Sequence, residues 1–237
     1  MRQSHRFLIG LSVAALAALM GSASALAAET ESSMARGARL YDKYFGENKT
    51  AKPTTDHPSY AIKDGKYGKD TSWRCKECHG WDYKGKDGAY AKGGHATGIK
   101  GINGAAGKDP AAISALLRDK VHGYSEAQLS AKDANDLALF VSKGQGNLAK
   151  YLDASNKVKG DGAKGEVYFN TLCAGCHGED GKKVKDAPPL GSVADNGAEM
   201  MHKILNGHPG EAMPALRALD HQIAADTAVH LTKLPPK

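Results

Sequence analysis

Two short runs of the same pattern contain every cysteine of this 237-residue chain. Residues 75–79 read CKECH and residues 173–177 read CAGCH. Each run places two thiols three positions apart, with an imidazole directly after the second thiol. The four cysteines are Cys75, Cys78, Cys173 and Cys176, so no thiol lies outside the two runs.

Cys-x-x-Cys-His is the attachment signature of c-type haem. Two thiols with this spacing on a helical turn can each form a thioether with one vinyl group of the same haem. The histidine that follows then lies under the ring and donates a nitrogen to the iron. We therefore predict two covalently bound haem c groups, one held by Cys75, Cys78 and His79, and one by Cys173, Cys176 and His177.

Other uses of paired cysteines agree less well with the pattern. Disulfides are the default in an exported chain, but they do not explain a histidine after each pair. A redox dithiol needs a thioredoxin-like alternation of strands and helices, which neither flank suggests. A zinc ribbon needs its two pairs about 15–20 residues apart, and here they are much farther apart.

The first residues have the character of a secretory signal peptide. Arg2 and Arg6 precede an apolar run over 7–19, and small residues with two Ala-x-Ala patterns follow over 21–27. An uncleaved membrane anchor is the alternative, but the apolar run is shorter than the about 20 residues that span a bilayer. We expect residues 1–27 to be removed, leaving a soluble periplasmic protein without a transmembrane anchor.

Composition limits the kind of core and the kind of partner. Aromatic residues make up 6% of the chain and glycine is abundant at 28 residues, so a bound cofactor, disulfides or metals are needed to fill the interior. The net charge of +6 comes from lysines spread along the chain, which is typical of a solvated surface. No basic stretch is interleaved with stacking aromatics, so we expect no nucleic-acid partner.

The second half has the order of elements of a known family. A helical stretch near Gly165 leads into the second motif, a proline loop at Pro188 follows, and a helix over 198–205 precedes Met213 and a last helix over 220–231. This order resembles the class I c-type cytochrome family over residues 160–237. The resemblance implies that Met213 is the second axial ligand through its sulfur, although a gap-filling core methionine is the alternative.

The first half shows the same order with changes. A helix is predicted over 34–45, and further helices over 110–120 and 131–142 follow the first motif. Residues 48–72 are an insertion rich in Lys, Gly, Thr and Pro. We interpret this insertion as a surface loop over the haem crevice.

The first half departs from the family at the sixth ligand. No methionine lies between the two motifs, and two histidines, His95 and His122, are candidates in its place. Aligning residues 136–138 with 226–228 places His122 next to the position of Met213. His95 follows the first motif so closely that it should still lie on the proximal side. We expect His122 to be the ligand, with His95 or a vacant position as the alternatives.

The sequence also allows predictions for several other aromatic and histidine side chains. Trp73, Trp81 and Tyr83 flank the first motif, where packing against porphyrin is more common than a role in an electron path. Four other histidines are expected on exposed helix faces or turns, namely His202, His208, His221 and His230.

Together these patterns predict an all-α protein of two tandem cytochrome c-type helical domains, each wrapped around one covalent haem. The domains are expected at 28–148 and 161–237, joined by a linker at 149–160. The expected function is electron transfer between a redox donor and an acceptor protein, as a free carrier or as the cytochrome subunit of a dehydrogenase. The alternative is a dihaem oxidoreductase that acts on a sulfur compound or peroxide at an open first haem, and an enzyme is the less favoured hypothesis.

Overall fold

The computed structural model describes residues 27–62 and 66–237. The predicted signal peptide therefore lies, except for its last residue, outside the described residues. Within them the regular structure is helical and contains no strand; only two isolated bridges pair extended backbone, Gly85 with Lys100 and Leu152 with Val158. The expected all-α class agrees with this architecture. In the same part of the chain, no helix is long and apolar enough to cross a membrane.

Ten α-helices follow one another in the described ranges. They are α1 (27–47), α2 (Cys75–His79), α3 (Pro110–Leu116), α4 (Ala131–Leu139), α5 (Leu148–Tyr151), α6 (Gly162–Leu172), α7 (Ala174–His177), α8 (Leu190–Val193), α9 (Gly197–Asn206) and α10 (His221–Leu231). Short 3-10 turns lie at Lys69–Trp73, Ala89–Ala91, Gly93–His95 and Asn103–Ala105, and a π-helical turn, Phe140–Gly144, extends α4.

Side-chain caps fix where the longer helices begin. Asp109 accepts a hydrogen bond from the Ala111 amide at the start of α3, and Pro110 follows at the first helical position. Ser130 and Asp133 form a reciprocal capping box at the start of α4. The remaining capping side chains are Asp161 for α6, Asn196 for α9 and Asp220 for α10.

In each half, the first helix crosses the last helix at a glycine. Gly37 of α1 lies against the backbone of Asp136 in α4, and Gly165 of α6 lies against the backbone of Asp226 in α10. A Cβ atom on either glycine would overlap the carbonyl oxygen that it faces. The two aspartates are the pair that the sequence alignment superimposed, so the two halves share one helix crossing.

The two halves also share a ring contact one helical turn after each glycine. Tyr41 of α1 contacts Phe140 with ring centres 5.6 Å apart, and Phe169 of α6 contacts His230 of α10 at 5.3 Å. Leu40, Tyr41 and Tyr44 form the apolar side of α1 and are all fully buried.

The linker is more ordered than its polar sequence indicates. Helix α5 lies just before and within it and buries Leu148 and Tyr151. The bridge between Leu152 and Val158, together with a bond from the Lys159 amide to the Tyr151 carbonyl (2.7 Å), closes the segment into a tight loop.

The two halves pack directly against each other through α1 and α9. His202 of α9 donates from Nε2 to the Ala38 carbonyl of α1 (3.0 Å) and accepts at Nδ1 from the Tyr83 hydroxyl (2.8 Å). Trp81 lies 5.0 Å from the same imidazole, centre to centre. The aromatic residues after the first motif therefore pack toward the second half.

The expectation that His202 and His230 are exposed is wrong. His202 is 1% exposed and His230 is 8% exposed. Both lie on helix faces that pack against another helix, α1 for His202 and α6 for His230. His208 and His221 are partly buried. Sequence periodicity identifies the apolar residues of a packed face but does not show that a histidine lies among them.

Candidate haem-binding sites

The two Cys-x-x-Cys-His motifs have the same local backbone. Both lie on a short helix that ends at a glycine in the left-handed region, Gly80 at φ 80° and Gly178 at φ 77°. Such a φ favours glycine because it has no Cβ. In both halves a later amide donates to the carbonyl of the motif histidine at 2.9 Å, Gly85 to His79 and Lys183 to His177.

In the first half the motif histidine is oriented by the backbone. His79 donates from Nδ1 to the Lys100 carbonyl at 2.6 Å, which leaves Nε2 without a proton and free to bind a metal. Histidines that bind metals commonly donate their other nitrogen in this way. Burial lowers the pKa of His79, which also favours the neutral ring.

The His122 ring lies near the His79 ring, at a separation that agrees with a shared iron. The two ring centres lie 6.3 Å apart and the ring planes differ by 26°. Two imidazoles that bind one metal from opposite sides, each through a metal–nitrogen bond of about 2 Å, have ring centres about 6 Å apart. Cys75 and Cys78 lie on the same short helix as His79, so the donor set of the first site agrees with a covalent haem.

A turn after α3 presents His122. Asp119 accepts at Oδ1 from the amides of Val121 (2.9 Å) and His122 (2.8 Å). The bond from the His122 amide is the main reason why the pKa of Asp119 is lowered. The predicted helix over 110–120 is shorter in the structure because i to i+3 bonds at residues 117–119 tighten the chain into this turn.

The inserted segment reaches the same turn. His57 hydrogen-bonds through Nε2 to the His122 carbonyl at 2.8 Å, and the Ser59 hydroxyl donates to the Val121 carbonyl at 2.6 Å. Sequence reasoning missed both residues. The one available signal was a histidine within an insertion otherwise interpreted as a surface loop.

His95, the alternative ligand, is engaged elsewhere. Its ring is stacked between Tyr67 and Tyr90, with ring centres 3.9 and 4.4 Å away, and its Nδ1 lies 2.6 Å from Glu77 Oε1. The Glu77 carboxylate is fully buried and also binds Lys76 at 2.8 Å. His95 therefore supports a buried carboxylate of the first motif instead of facing His79.

The second motif is more exposed than the first. Cys173 is partly buried, Cys176 is exposed and His177 is partly buried. Among the described residues none hydrogen-bonds to the His177 ring, and burial lowers its pKa. Met213 is partly buried on the loop between α9 and α10. Its assignment rests on that position, which is the ligand position of the cytochrome resemblance.

The thiols differ from those of a redox dithiol. Burial raises the pKa of Cys75 to about 11, that of Cys78 to about 12 and that of Cys173 to about 11. Reactive dithiols instead have a lowered pKa that keeps a thiolate available. Paired thiols beside a metal-ready imidazole agree with thioether attachment of haem.

A family model described as cytochrome c oxidase, cbb3-type, subunit III matches residues 160–231. This range begins just before α6 and ends with α10, so it contains the second motif and Met213. No curated protein and no solved structure matches the chain. The match identifies a cytochrome c domain in the second half, and with it covalent haem c and electron-transfer chemistry.

Proposed function

We propose that the chain is a dihaem c-type cytochrome that carries electrons between redox partner proteins in the periplasm. Each of two tandem domains, 28–148 and 161–237, holds one covalent haem, and residues 149–160 join them. The observation that carries the proposal is the facing pair of imidazoles at 6.3 Å beside the first Cys-x-x-Cys-His motif. The second motif repeats the backbone of the first and lies in the cytochrome c domain.

Bound haem would supply a reversible one-electron couple whose potential depends on the axial ligands. In the first domain, Cys75 and Cys78 would attach the haem, and His79 and His122 would bind its iron. The Lys100 carbonyl holds the His79 ring in the tautomer that leaves Nε2 free for the metal. With both imidazoles bound, small molecules would have no free site at that iron.

In the second domain, Cys173 and Cys176 would attach the haem, and His177 and Met213 would bind its iron. A histidine and methionine pair raises the reduction potential relative to two histidines. The two haems of one molecule would therefore differ in potential, with the first as the lower one. This difference suits a protein that accepts electrons at one end and donates them at the other.

The partners follow from this chemistry. A donor and an acceptor redox protein are required, and a dehydrogenase catalytic subunit could be the donor. Isolation of a stoichiometric complex with a catalytic subunit would support the subunit role over the free carrier. The position of His122 opposite His79 favours electron transfer over the oxidoreductase alternative, because that enzyme needs an iron with an open or weakly held sixth position.

Counting haems on the purified, exported protein tests the proposal. Intact-mass measurement should show two haems per chain in the wild type. The double variant Cys75→Ala with Cys78→Ala should retain one haem, and the double variant Cys173→Ala with Cys176→Ala should retain the other. Wild-type protein with a single haem, or a double variant that still carries two, would contradict the proposal.

A further inference from the structure

The inserted segment 48–72 contacts the backbone that presents His122. Two neighbouring side chains of the segment, His57 and Ser59, bind two neighbouring carbonyls of the turn, those of His122 and Val121. His57 is 8% exposed, so its contact is an interior one. A surface loop, as the sequence predicted, does not require such contacts.

We infer that His57 and Ser59 of the inserted segment form a clamp that holds His122 in place as the sixth ligand of the first haem, so that both are positioning residues. The inference rests on the proposed function, since it concerns the ligand of that haem. It adds a role for an insertion that the second domain lacks.

The hydrogen bonds of His57 determine its tautomer. The Ser59 amide donates to His57 Nδ1 at 3.1 Å, so Nδ1 carries no proton. The proton of the neutral ring is then on Nε2, which donates to the His122 carbonyl at 2.8 Å. The bond therefore has a fixed direction, and a side chain that replaces His57 must supply a donor at the same place.

The clamp is itself anchored near the haem attachment helix. The His57 amide donates to Ser72 Oγ at 2.9 Å, and the His57 ring contacts Trp73 edge to face with centres 4.5 Å apart. Ser72 and Trp73 end the 3-10 turn that leads into Cys75. His57 thus links the residues that lead into the Cys75 attachment helix with the turn that presents His122.

The turn itself holds His122 from one side only. The His122 side chain is 32% exposed, and Gly123 follows it at φ 63°. Asp119 Oδ1 accepts from the amides of Val121 and His122 and lies 3.3 Å from His122 Nδ1. The contacts of His57 and Ser59 hold the carbonyls, so that the turn is fixed on both sides of its backbone.

Carbon monoxide binding to the fully reduced holoprotein tests the inference, because it reports an open or weakly held sixth position. His57→Phe keeps a flat ring against Trp73 but removes the donor, and Ser59→Ala removes the second bond. We expect His57→Phe to increase carbon monoxide binding at the first haem by about tenfold, the effect of losing one buried hydrogen bond, and Ser59→Ala, whose bond is exposed, to increase it less. His57→Gln restores an N–H donor and should return most of the wild-type behaviour.

Two controls separate this role from general loosening and from failure of the proposed function. Ser142→Ala removes a bond of the same kind, from a hydroxyl to the Lys108 carbonyl, and should leave carbon monoxide binding unchanged. His122→Ala should open the first haem fully and gives the reference spectrum. If His122→Ala opens it but neither clamp variant does, or if Ser142→Ala opens it equally, the clamp is refuted. If His122→Ala has no effect, the ligand assignment itself fails.

Discussion

His202 shows how a single residue can couple the stability of the protein to pH. Its ring is buried between the two halves and bonded at both nitrogens, to Ala38 and Tyr83. Burial lowers its pKa to about 4. The charged groups that act on the ring are Asp42, which raises its pKa, and Lys203 and Arg217, which lower it.

The expected consequence is a loss of stability in mild acid. The unfolded chain binds a proton at His202 below about pH 6.5, whereas the folded chain does so only below about pH 4. The free energy of unfolding should therefore fall by about 3 kcal/mol from pH 6.5 to pH 4 and lose nothing more from this group below pH 4. Urea unfolding at several pH values measures it. His202→Gln should have a shallower dependence, and identical profiles for both proteins would contradict the account.

At the residue scale, spacing along the sequence predicts the covalent ligands but not the groups that support them. The motif cysteines and histidines are predicted because haem attachment requires neighbouring positions in the chain. His122 is predicted by alignment, and its ring centre lies 6.3 Å from that of His79. His57 and Ser59 are distant in sequence from the turn that they bind, so no local pattern reveals them.

At the scale of elements, the helix crossings at Gly37 and Gly165 limit which substitutions each half can tolerate. At Gly37 and at Gly165 the facing group is a backbone carbonyl, which cannot rotate away as a side chain can. The helices would have to separate to admit a methyl group. Separation would also loosen the aromatic pairs one turn later.

Gly37→Ala and Gly165→Ala should each destabilise the protein by about 1–3 kcal/mol, the usual cost of overpacking. Gly104→Ala is the matched control, because a Cβ there meets nothing within 4 Å and the residue does not have a positive φ. Thermal unfolding of the three variants measures the effect. An equal melting temperature for Gly37→Ala and Gly104→Ala would show that the crossing is not tightly packed.

The helices of the second half are predicted from sequence more accurately than those of the first. The predicted range 198–205 differs from α9, Gly197–Asn206, by one residue at each end. In the first half, α3 ends at Leu116, and α4 passes into a π-helical turn at Phe140. Local i to i+3 bonds at residues 117–119 end α3. In the π turn, the Ser142 hydroxyl donates to the Lys108 carbonyl, a contact that joins residues distant in sequence.

At the scale of the whole molecule, a charged cluster joins the two halves. Asp42 of α1 binds Arg74 before the first motif and Lys203 of α9, the latter at 2.8 Å. The ammonium groups of Lys76 and Lys203 lie 5.5 and 5.3 Å from the ring centre of Trp81. Burial opposes ionisation of Asp42, but the two cations prevail and lower its pKa.

This interface could not be predicted from the sequence, because its members are polar and lie in different halves. The order of predicted helices around each motif indicates two packed domains, but charged residues are normally assigned to the solvent-exposed surface. The contacts of α1 with α9 fix the relative position of the two halves. Two haems held in them would therefore keep one fixed separation.

Redox titration of the purified holoprotein, followed by its visible spectrum, tests the central claim of two haems with different axial ligands most directly. We predict two one-electron waves in the wild type, the lower one from the haem of His79 and His122. His122→Met should raise the lower wave by more than about 60 mV, the equivalent of a tenfold change for one electron, and leave the upper wave in place. A single wave in the wild type, or a His122→Met variant with both waves unmoved, would contradict the claim.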